Sequence, residues 1–278
     1  MNDKFVITVC TAGKNKNLMN CLSNLLEIKE KSEYMVDLHL VINDFSTDLE
    51  INPNIKVIFE GLKGYSNVRN AAVKTLPENS NLIFIDDDEI PTLKWFQALV
   101  SKHMNYPEDI IFGPVYSSTT DSINSYRDDF KNYFKRLPDN SLVKQAGAGN
   151  MLIPQTIIKN GWAVFDPIFN ESGSEDTDFC FRIRKIGKHI RYAKEAVIYE
   201  IQSTERIDSS YLETRYIRDI TNYSLIVRRN CGYLSISRRA LILSWKIAIY
   251  GFYFIFKKSH KTELKAHFLS LKKLTFDN

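Results

Sequence analysis

Short apolar runs alternate with polar, helix-like stretches along the first two thirds of the chain. Such alternation is typical of parallel βαβ units, whose strands are buried between helices. The apolar runs predict strands over residues 5–11, 37–42, 55–60, 82–85, 110–115, 151–153, 190–192 and 196–200. Helical periodicity predicts helices over residues 17–31, 66–75, 92–103 and 176–186. Polar residues follow the early strands, so we expect a functional site where those strands end.

The last part of the chain has a different character. It is rich in Arg, Lys and aromatic residues and has a mostly helical pattern. We therefore predict an α/β domain over residues 1–206, with a mainly parallel sheet flanked by helices. A basic, aromatic helical extension is predicted over residues 207–278.

Composition is that of a globular protein, but charge is unevenly distributed. Of 278 residues, 44% are hydrophobic and 25% are charged. Residues 1–181 carry 17 Lys and Arg against 25 Asp and Glu, a net charge of −8, whereas residues 182–278 carry 20 against 8, a net charge of +12. The basic part predicts an anionic partner. Nucleic acid is not expected, because the basic residues accompany an apolar run and match no nucleic-acid motif.

An apolar stretch over residues 240–256 is interrupted by Lys246. Spanning a bilayer takes about 20 apolar residues, so this stretch is marginal as a membrane span. Its aromatic residues and the flanking cations suit a helix that lies in an anionic membrane interface, with residues 238–273 in contact. The alternative is an apolar helix packed on the domain or on a partner.

Asp86, Asp87, Asp88 and Glu89 form an acidic run directly after the apolar residues 82–85. Clustered carboxylates repel one another unless a cation lies among them, and hard divalent ions prefer carboxylate oxygens. The run indicates a Mn2+ or Mg2+ site that holds a phosphate. A solvated acidic turn is an equal alternative on this run alone.

Three further segments carry candidate chemistry, and each also has a structural interpretation. Asp44 follows the second predicted strand and could bind a base or ribose, or form an Asx turn. Arg69 lies near a helix start behind a glycine-flanked loop and could clamp a diphosphate. Glu175 and Asp176 begin a helix behind a Ser-Gly-Ser segment. Helix capping explains one carboxylate there, but not the three in this segment.

These segments together resemble the family 2 glycosyltransferases of the GT-A fold over about residues 4–206. Asn43 to Asp48 is similar to the family's Asp-Asp-Gly-Ser-x-Asp segment, with Asn43 and Phe45 as departures, and Asn67 to Ala71 resembles its Ala-Arg-Asn-x-Gly segment. The acidic run matches Asp-x-Asp, Gly149-Asn150 matches Gly-Asn, and Glu175-Asp176 matches Glu-Asp. The run from residue 196 to residue 206 is similar to bacterial surface-polysaccharide transferases of the succinoglycan type.

The resemblance implies a GT-A Rossmann-like fold and an inverting transferase that uses a nucleotide-diphosphate sugar. It assigns catalysis to Asp176 as general base with Glu175 beside it, and metal ligation to Asp88. The residues it assigns to the nucleotide sugar are Thr11, Asp44, Arg69, Asp86, Asp87 and Asn150. A UDP-sugar donor and a glycan or lipid-linked acceptor are implied. Aromatic residues over 126–134 could stack on a sugar or pack on the domain.

Two alternatives remain from the sequence. A sugar nucleotidyltransferase normally has a glycine-rich, basic loop after its first strand, but residues 11–16 contain one glycine. A noncatalytic nucleotide-sugar or carbohydrate binding module would keep the fold without turnover.

Four scattered cysteines and no signal-like N-terminus indicate a reduced, cytoplasmic protein. With the bacterial resemblance, we expect a peripheral position on the cytoplasmic face of the inner membrane.

Overall fold

The computed structural model describes residues 3–43, 49–118, 137–201, 209–257 and 260–275. The strands are β1 (Lys4–Thr11), β2 (Met35–Ile42), β3 (Ile55–Phe59), β4 (Ser80–Asp86), β5 (Glu89–Ile90), β6 (Ile110–Phe112), β7 (Val115–Ser118), β8 (Asn150–Ile153), β9 (Ile190–Tyr192) and β10 (Ile198–Ile201). The helices are α1 (Leu18–Lys31), α2 (Tyr65–Lys74), α3 (Leu93–Asn105), α4 (Gln155–Lys159), α5 (Glu175–Lys185), α6 (Ser209–Asn230), α7 (Tyr233–Lys257) and α8 (Lys261–Thr275). Asp44 and the aromatic residues over 126–134 lie outside the described residues.

A seven-stranded, mainly parallel sheet forms the centre of the molecule. Its strand order is β3-β2-β1-β4-β8-β6-β9, and β8 runs antiparallel to both of its neighbours. A smaller sheet has the order β5-β10-β7. The predicted mixed α/β architecture with flanking helices is confirmed.

The large sheet is buried on both faces, as its nearly continuous apolar strands predict. Successive residues of β4 point to opposite faces. Ile83 and Ile85 pack in the cluster that contains residues of α1 and α3, whereas Leu82 and Phe84 pack in the cluster that contains residues of α2, α4 and α5. Full burial of each such side chain contributes roughly 1.5–3 kcal/mol, so β4 is held from both sides. Its carboxyl end is correspondingly well positioned.

The strand predicted over residues 110–115 is two strands in different sheets. It breaks at Gly113 and Pro114, between β6 in the large sheet and β7 in the small one. A Cβ at Gly113 would lie 2.0 Å from the backbone oxygen of Ala196, so only glycine allows this close approach. Pro114 has no N–H for a ladder hydrogen bond. The break lets the chain change sheets.

The C-terminal helices pack on the α/β domain and on one another. Val227, Leu243 and Leu274 form a small buried cluster contributed by α6, α7 and α8. The hydroxyl groups of Ser224 and Ser270 form a buried hydrogen bond between α6 and α8. The described residues of the predicted helical extension thus form three helices, α6, α7 and α8, with short connections. Within them, no helix combines the length and the apolar character that crossing a bilayer requires.

Candidate active site

The carboxyl ends of β1, β2 and β4 meet at one edge of the large sheet. Thr11 pairs with Ile42 on one side of β1, and Cys10 pairs with Asp86 on the other. A cavity of about 500 Å³ lies at this edge. Its lining residues are Cys10, Thr11, Ala12, Lys14, Asn15, Asn43, Gly64, Tyr65, Val68, Arg69, Asp86, Asp87, Asp88 and Asn170.

The acidic run separates into residues with different surroundings. Asp86, Asp87 and Asp88 all line the cavity. The side chain of Asp86 is 45% exposed, whereas Asp88 is buried and its backbone oxygen accepts a hydrogen bond from the N–H of Ile201 at 3.1 Å. Asp88 is thus positioned by the small sheet as well as by the end of β4.

Asp87 joins the acidic run to the loop after β1. The hydroxyl of Thr11 donates a hydrogen bond to one carboxylate oxygen of Asp87, and the Asn15 amide donates to the other at 3.0 Å. Thr11 Oγ1 also accepts from the N–H of Gly13 at 2.8 Å. These contacts position the cavity wall. Thr11 and Asp87 therefore lie together at the cavity, where the sequence predicted donor contacts.

Glu89, the last residue of the acidic run, is buried in the small sheet. It lies in β5, pairs with Glu200 of β10, and is 2% exposed. Its carboxylate accepts a hydrogen bond from the N–H of Asp86 at 2.9 Å. Burial, followed by the nearby Asp86 carboxylate, raises the pKa of Glu89 well above its usual value. No local sequence signal marks Glu89 as the inward residue, because its pairing partner is distant in the chain.

Gly149 packs directly against this acidic group. A Cβ there would lie 2.7 Å from an oxygen of Asp86 and 2.7 Å from an oxygen of Glu89. The absence of a side chain at Gly149 therefore leaves room for the carboxylates of Asp86 and Glu89. This packing gives a physical reason for glycine in the Gly-Asn segment.

Arg69 connects the acidic run with the Glu-Asp segment. Its Nε donates to Glu175 Oε1 at 2.9 Å, and its Nη2 lies 3.5 Å from Asp86 Oδ1. Its Nη1 is buried without a hydrogen-bond partner among the described residues. Burial opposes the charged form, but Glu175 and Asp86 outweigh it and raise the pKa of Arg69. The guanidinium is thus permanently charged at the cavity wall.

Glu175 and Asp176 occupy the first turn of α5, as predicted. The chain enters this helix through Gly173 and Ser174, both with positive φ, at 69° and 72°. Burial and then the neighbouring Glu175 carboxylate raise the pKa of Asp176 to about 6, against the opposing effect of Arg69. A carboxyl group with this pKa can hold or release a proton near neutral pH.

The third carboxylate of this segment has a structural role. Asp178 is 1% exposed and accepts hydrogen bonds from Arg182 Nε at 2.7 Å and from Asn230 Nδ2 at 2.9 Å. Asn230 belongs to α6, so Asp178 attaches α5 to the C-terminal helices. The excess of acidic residues noted in the sequence thus divides into two candidate catalytic groups and one packing group.

Asn150 is placed differently from the donor contact that the resemblance implied. It is 1% exposed; its Oδ1 accepts from Trp95 Nε1 at 2.8 Å, and its Nδ2 donates to the backbone oxygens of Ala196 at 2.8 Å and Pro114 at 3.3 Å. Because these groups already have partners inside the protein, Asn150 supports the site by joining the two sheets. It does not line the cavity.

Asn43 stabilises the loop before α2. Its Nδ2 donates to the backbone oxygens of Glu60 at 2.9 Å and Leu62 at 2.8 Å, and its Oδ1 accepts from the N–H of Gly64 at 2.8 Å. Asn here replaces the family's first Asp, and the amide supplies donors that a carboxylate lacks. The departure is therefore matched by a specific local structure.

Sequence reasoning missed Asn222 of α6. Its amide nitrogen lies 3.0 Å from the backbone oxygen of Gly173, 3.1 Å from that of Ser172 and 3.2 Å from Ser174 Oγ. These three acceptors belong to the segment that precedes Glu175 and Asp176. Nothing in the local sequence around Asn222 indicates this contact.

No three His, Cys, Asp or Glu side chains converge as a metal-binding group among the described residues. Asp86 and Asp88 nevertheless provide carboxylates at the cavity. Mg2+ is commonly held by one or two carboxylates together with substrate phosphates and water, so this pair fits that mode of binding.

Comparison with known proteins identifies the family. The profile described as Glycosyl transferase family 2 matches residues 5–153, which is more than half of the chain. The chain belongs to glycosyl transferase family 2. A search of curated proteins finds no match.

Solved structures establish the fold of this family 2 chain. A structure titled as GalNAc-T7 with UDP, GalNAc and Mn2+ has a TM-score of 0.58 at 10% identity, with 82% of this chain and 50% of that chain covered. S. aureus TarS 1-349 in complex with UDP-GlcNAc has a TM-score of 0.57 at 15% identity, with coverages of 98% and 80%. The chain thus spans half the length of the GalNAc-T7 chain. The predicted GT-A fold is confirmed.

Membership of glycosyl transferase family 2 argues against the nucleotidyltransferase alternative. The predicted site residues from three of the four segments lie in one region, since Arg69 contacts both Asp86 and Glu175.

Proposed function

We propose that this protein is an inverting, metal-dependent glycosyltransferase. It transfers a sugar from a nucleotide-diphosphate sugar, most simply a UDP-sugar, to a hydroxyl of a glycan or lipid-linked acceptor in bacterial polysaccharide synthesis. The observation that carries the proposal is the position of Arg69 between Asp86 and Glu175 at a cavity on the carboxyl edge of the sheet. This arrangement supports the proposal, because an anion-binding group contacts the Glu-Asp segment that contains the candidate general base.

The donor occupies the cavity with its diphosphate near Arg69. Arg69 lines the cavity, and its guanidinium supplies a positive charge that suits a diphosphate. Thr11, Asp86 and Asp87 form the adjoining wall. The family resemblance assigns a nucleoside contact to Asp44. Asp88 would hold Mn2+ or Mg2+, with Asp86 beside it. A bound metal ion would supply positive charge that offsets the negative charge of the departing diphosphate.

Asp176 acts as the general base. The acceptor hydroxyl oxygen attacks the anomeric carbon from the face opposite the diphosphate, while the Asp176 carboxylate takes the hydroxyl proton. The bond between the anomeric carbon and the diphosphate oxygen breaks, and its electron pair leaves with the nucleoside diphosphate. The configuration at the anomeric carbon is therefore inverted. Glu175 holds Arg69 at 2.9 Å and so orients the donor.

Replacement of Asp176 tests this assignment. Asp176→Asn keeps the shape of the side chain but removes the base, so transfer falls roughly 100- to 10,000-fold while UDP-sugar affinity is unchanged. Glu171→Gln is the matched control, because Glu171 is an exposed carboxylate shortly before the same helix. Release of UDP measures transfer, and calorimetry measures affinity. Full activity of Asp176→Asn would exclude Asp176 as the base.

Replacement of Asp88 tests the metal separately. Asp88→Ala weakens Mn2+-dependent binding of the UDP-sugar about tenfold or more, whereas Glu78→Ala, at an exposed position, leaves it unchanged. Calorimetry with and without Mn2+ measures both. Equal metal-dependent affinity in wild type and Asp88→Ala contradicts the assignment.

The noncatalytic binding module is tested with wild type over a panel of donors and acceptors. Binding of a donor without any release of UDP supports that alternative.

We also propose a peripheral position on an anionic membrane, on the cytoplasmic face of the bacterial inner membrane. Helix α7 supports this, because Leu234, Leu241, Trp245 and Phe252 form one exposed apolar stripe at spacings of seven, four and seven residues. Leu241 is 72% exposed and Trp245 is 67% exposed. With the nearby cations of residues 238–273, this stripe has the composition of an interfacial helix.

A further inference from the structure

A second cavity, of about 580 Å³, lies where α5, α6 and α7 meet. We call it the basic groove. Its cations are Lys144, Arg184, Lys185, Arg238 and Arg239. None of the described residues that line it is acidic. The groove lies at the C-terminal end of α5, and Asp176 lies at the other end, about 14 Å away at 1.5 Å per residue. It is therefore distinct from the candidate active site.

The cations of the groove are not neutralised within the described part of the chain. None of the five forms an ion pair there. Five positive charges around one cavity repel each other unless an anion binds among them. These cations do not belong to one solvated helix face, because they come from three separate parts of the chain: residue 144, α5 and α7.

Arg239 is the least solvated of these cations. Its guanidinium carbon lies 4.8 Å from the centre of the Tyr223 ring, and its Nε lies 3.4 Å from Ser224 Oγ. Burial lowers the pKa of Arg239, and no carboxylate opposes this effect. A partly buried guanidinium that has an aromatic face behind it and no acidic partner is suited to an incoming anion.

The groove adjoins the apolar stripe of α7. Arg238 and Ile242 line the groove, and in a helix Arg238 lies beside Leu241 and Ile242 at three and four residues. Leu241 belongs to the exposed stripe. Cationic and apolar surfaces therefore meet along one edge of α7, as the polar and apolar parts of a phospholipid do.

We propose that the basic groove binds the phosphate of an anionic phospholipid, with the acyl chains along the apolar stripe of α7. This inference rests on the proposed membrane association and gives it a specific site. Guanidinium groups form paired hydrogen bonds with phosphate oxygens, and Lys144 and Lys185 add positive charge. The volume of the groove suits a headgroup rather than a folded macromolecule.

The first test uses a short-chain lipid that needs no membrane. Calorimetry with dihexanoyl-phosphatidylglycerol below its micelle concentration gives saturable binding of one lipid per chain. Arg184→Gln/Lys185→Gln/Arg239→Gln weakens this binding at least tenfold. The control, Lys74→Gln/Lys94→Gln/Lys159→Gln, removes the same charge from exposed positions outside the groove and leaves binding unchanged. Equal weakening by the two triple variants, or no saturable binding by wild type, overturns the proposal.

Two further arms separate the possible sources of phosphate. Inorganic phosphate and glycerol phosphate bind at least tenfold more weakly than the short-chain lipid; equal or tighter binding overturns the lipid assignment in favour of a soluble phosphate ligand. Arg184→Lys/Arg239→Lys keeps the charge and controls for folding, so it retains more lipid binding than the Gln triple variant. If the Lys double variant and the Gln triple variant lose lipid binding equally, positive charge in the groove is not what binds the lipid.

Vesicles distinguish this proposal from membrane association itself. Wild type that binds the short-chain lipid but does not sediment with phosphatidylglycerol vesicles retains the groove and contradicts membrane association. The opposite result is that wild type and the groove triple variant sediment with these vesicles to the same extent, and that wild type shows no saturable binding of the short-chain lipid. That result supports membrane association and contradicts lipid binding in the groove. UDP release, measured in parallel, reports separately on the catalytic proposal.

Discussion

At the scale of single residues, the carboxylates of the candidate site differ in whether a cation contacts them. Arg69 contacts Asp86 and Glu175, while the Asp176 carboxyl has no direct cationic partner among its described hydrogen bonds. Asp176 instead accepts from the adjacent Thr177 N–H at 2.6 Å. The contrast between a paired Glu175 and a partly desolvated Asp176 gives two neighbouring carboxylates different roles.

The raised pKa of Asp176 predicts an acidic limb in the pH dependence of transfer. Its pKa of about 6 means that the base is protonated below pH 6, so kcat falls about tenfold per pH unit there and is constant above pH 7. The same pKa affects stability. Because the pKa of Asp176 is higher in the folded than in the unfolded protein, ionisation of Asp176 lowers the free energy of unfolding; this effect is absent below about pH 4 and complete above about pH 6. Steady-state kinetics from pH 5 to pH 8, with UDP affinity as the control, measure the limb. A flat profile contradicts the assignment.

Gly149 predicts a sharp difference between two neighbouring glycines. Gly149→Ala places a Cβ 2.7 Å from oxygens of both Asp86 and Glu89 and lowers the free energy of unfolding by about 1–3 kcal/mol. Gly147→Ala is the matched control, because its Cβ would meet nothing closer than Asp176 Oδ2 at 3.9 Å. Urea denaturation measures both. If the two substitutions change the free energy of unfolding equally, Asp86 and Glu89 can move away from the new Cβ without loss of stability, which contradicts the prediction.

At the scale of elements, the N-terminus of α5 is positioned by α6. The entry to α5 uses left-handed backbone at Gly173 and Ser174, and the amide of Asn222 contacts the backbone oxygens of Ser172 and Gly173. Asn230, also of α6, holds Asp178 within α5. Two contacts from one helix thus fix the start of another. The C-terminal helices therefore contribute to the site although they provide none of its predicted residues.

Removal of the Asn222 amide should impair turnover more than donor binding. Asn222→Ala removes a hydrogen-bond donor from the oxygens of Ser172 and Gly173. The segment before Asp176 therefore shifts, and kcat falls roughly tenfold while donor affinity changes less than twofold. The matched control is Asn160→Ala, whose amide donates locally to the backbone oxygen of Thr156 in α4. Initial rates and calorimetry give the two quantities. A parallel loss of kcat and affinity would indicate general unfolding instead.

At the scale of the whole molecule, the sheet and the C-terminal helices present different chemistry. The carboxyl edge of the sheet gathers acidic residues around Arg69, whereas α7 exposes an apolar stripe beside the basic groove. The separation of charge noted along the sequence is thus also a separation in space. The proposed transfer from a nucleotide sugar to a lipid-linked acceptor would use both surfaces.

Disruption of the stripe should release the protein from vesicles without unfolding it. Leu241→Ser/Trp245→Ser reduces partitioning onto phosphatidylglycerol vesicles at least tenfold, because both side chains are exposed and lose only their contact with lipid. Met19→Ser/Met35→Ser removes two exposed apolar side chains elsewhere and is the control. Co-sedimentation measures partitioning, and thermal melting measures stability. Unchanged partitioning would favour packing of α7 on a partner protein.

Much of the architecture follows from local pattern. The strand before Asp86 is predicted because four apolar residues precede four acidic ones, and the helix from Glu175 is predicted from its polar entry and periodicity. The strand over 110–115 was predicted wrongly as one element, since its break depends on the close approach of Ala196 to Gly113. Gly113-Pro114 is itself a local signal for a break, but the transfer of β7 to the small sheet depends on contacts with a distant segment.

The sequence by itself determined the βαβ order, the acidic run and the Glu-Asp pair, because periodicity and side-chain type act within a few residues of one another. Only the tertiary structure decided that Arg69 lies between Asp86 and Glu175, that Glu89 is buried, and that Asn222 supports α5. Contacts between distant segments depend on strand register and helix docking, which no local pattern specifies.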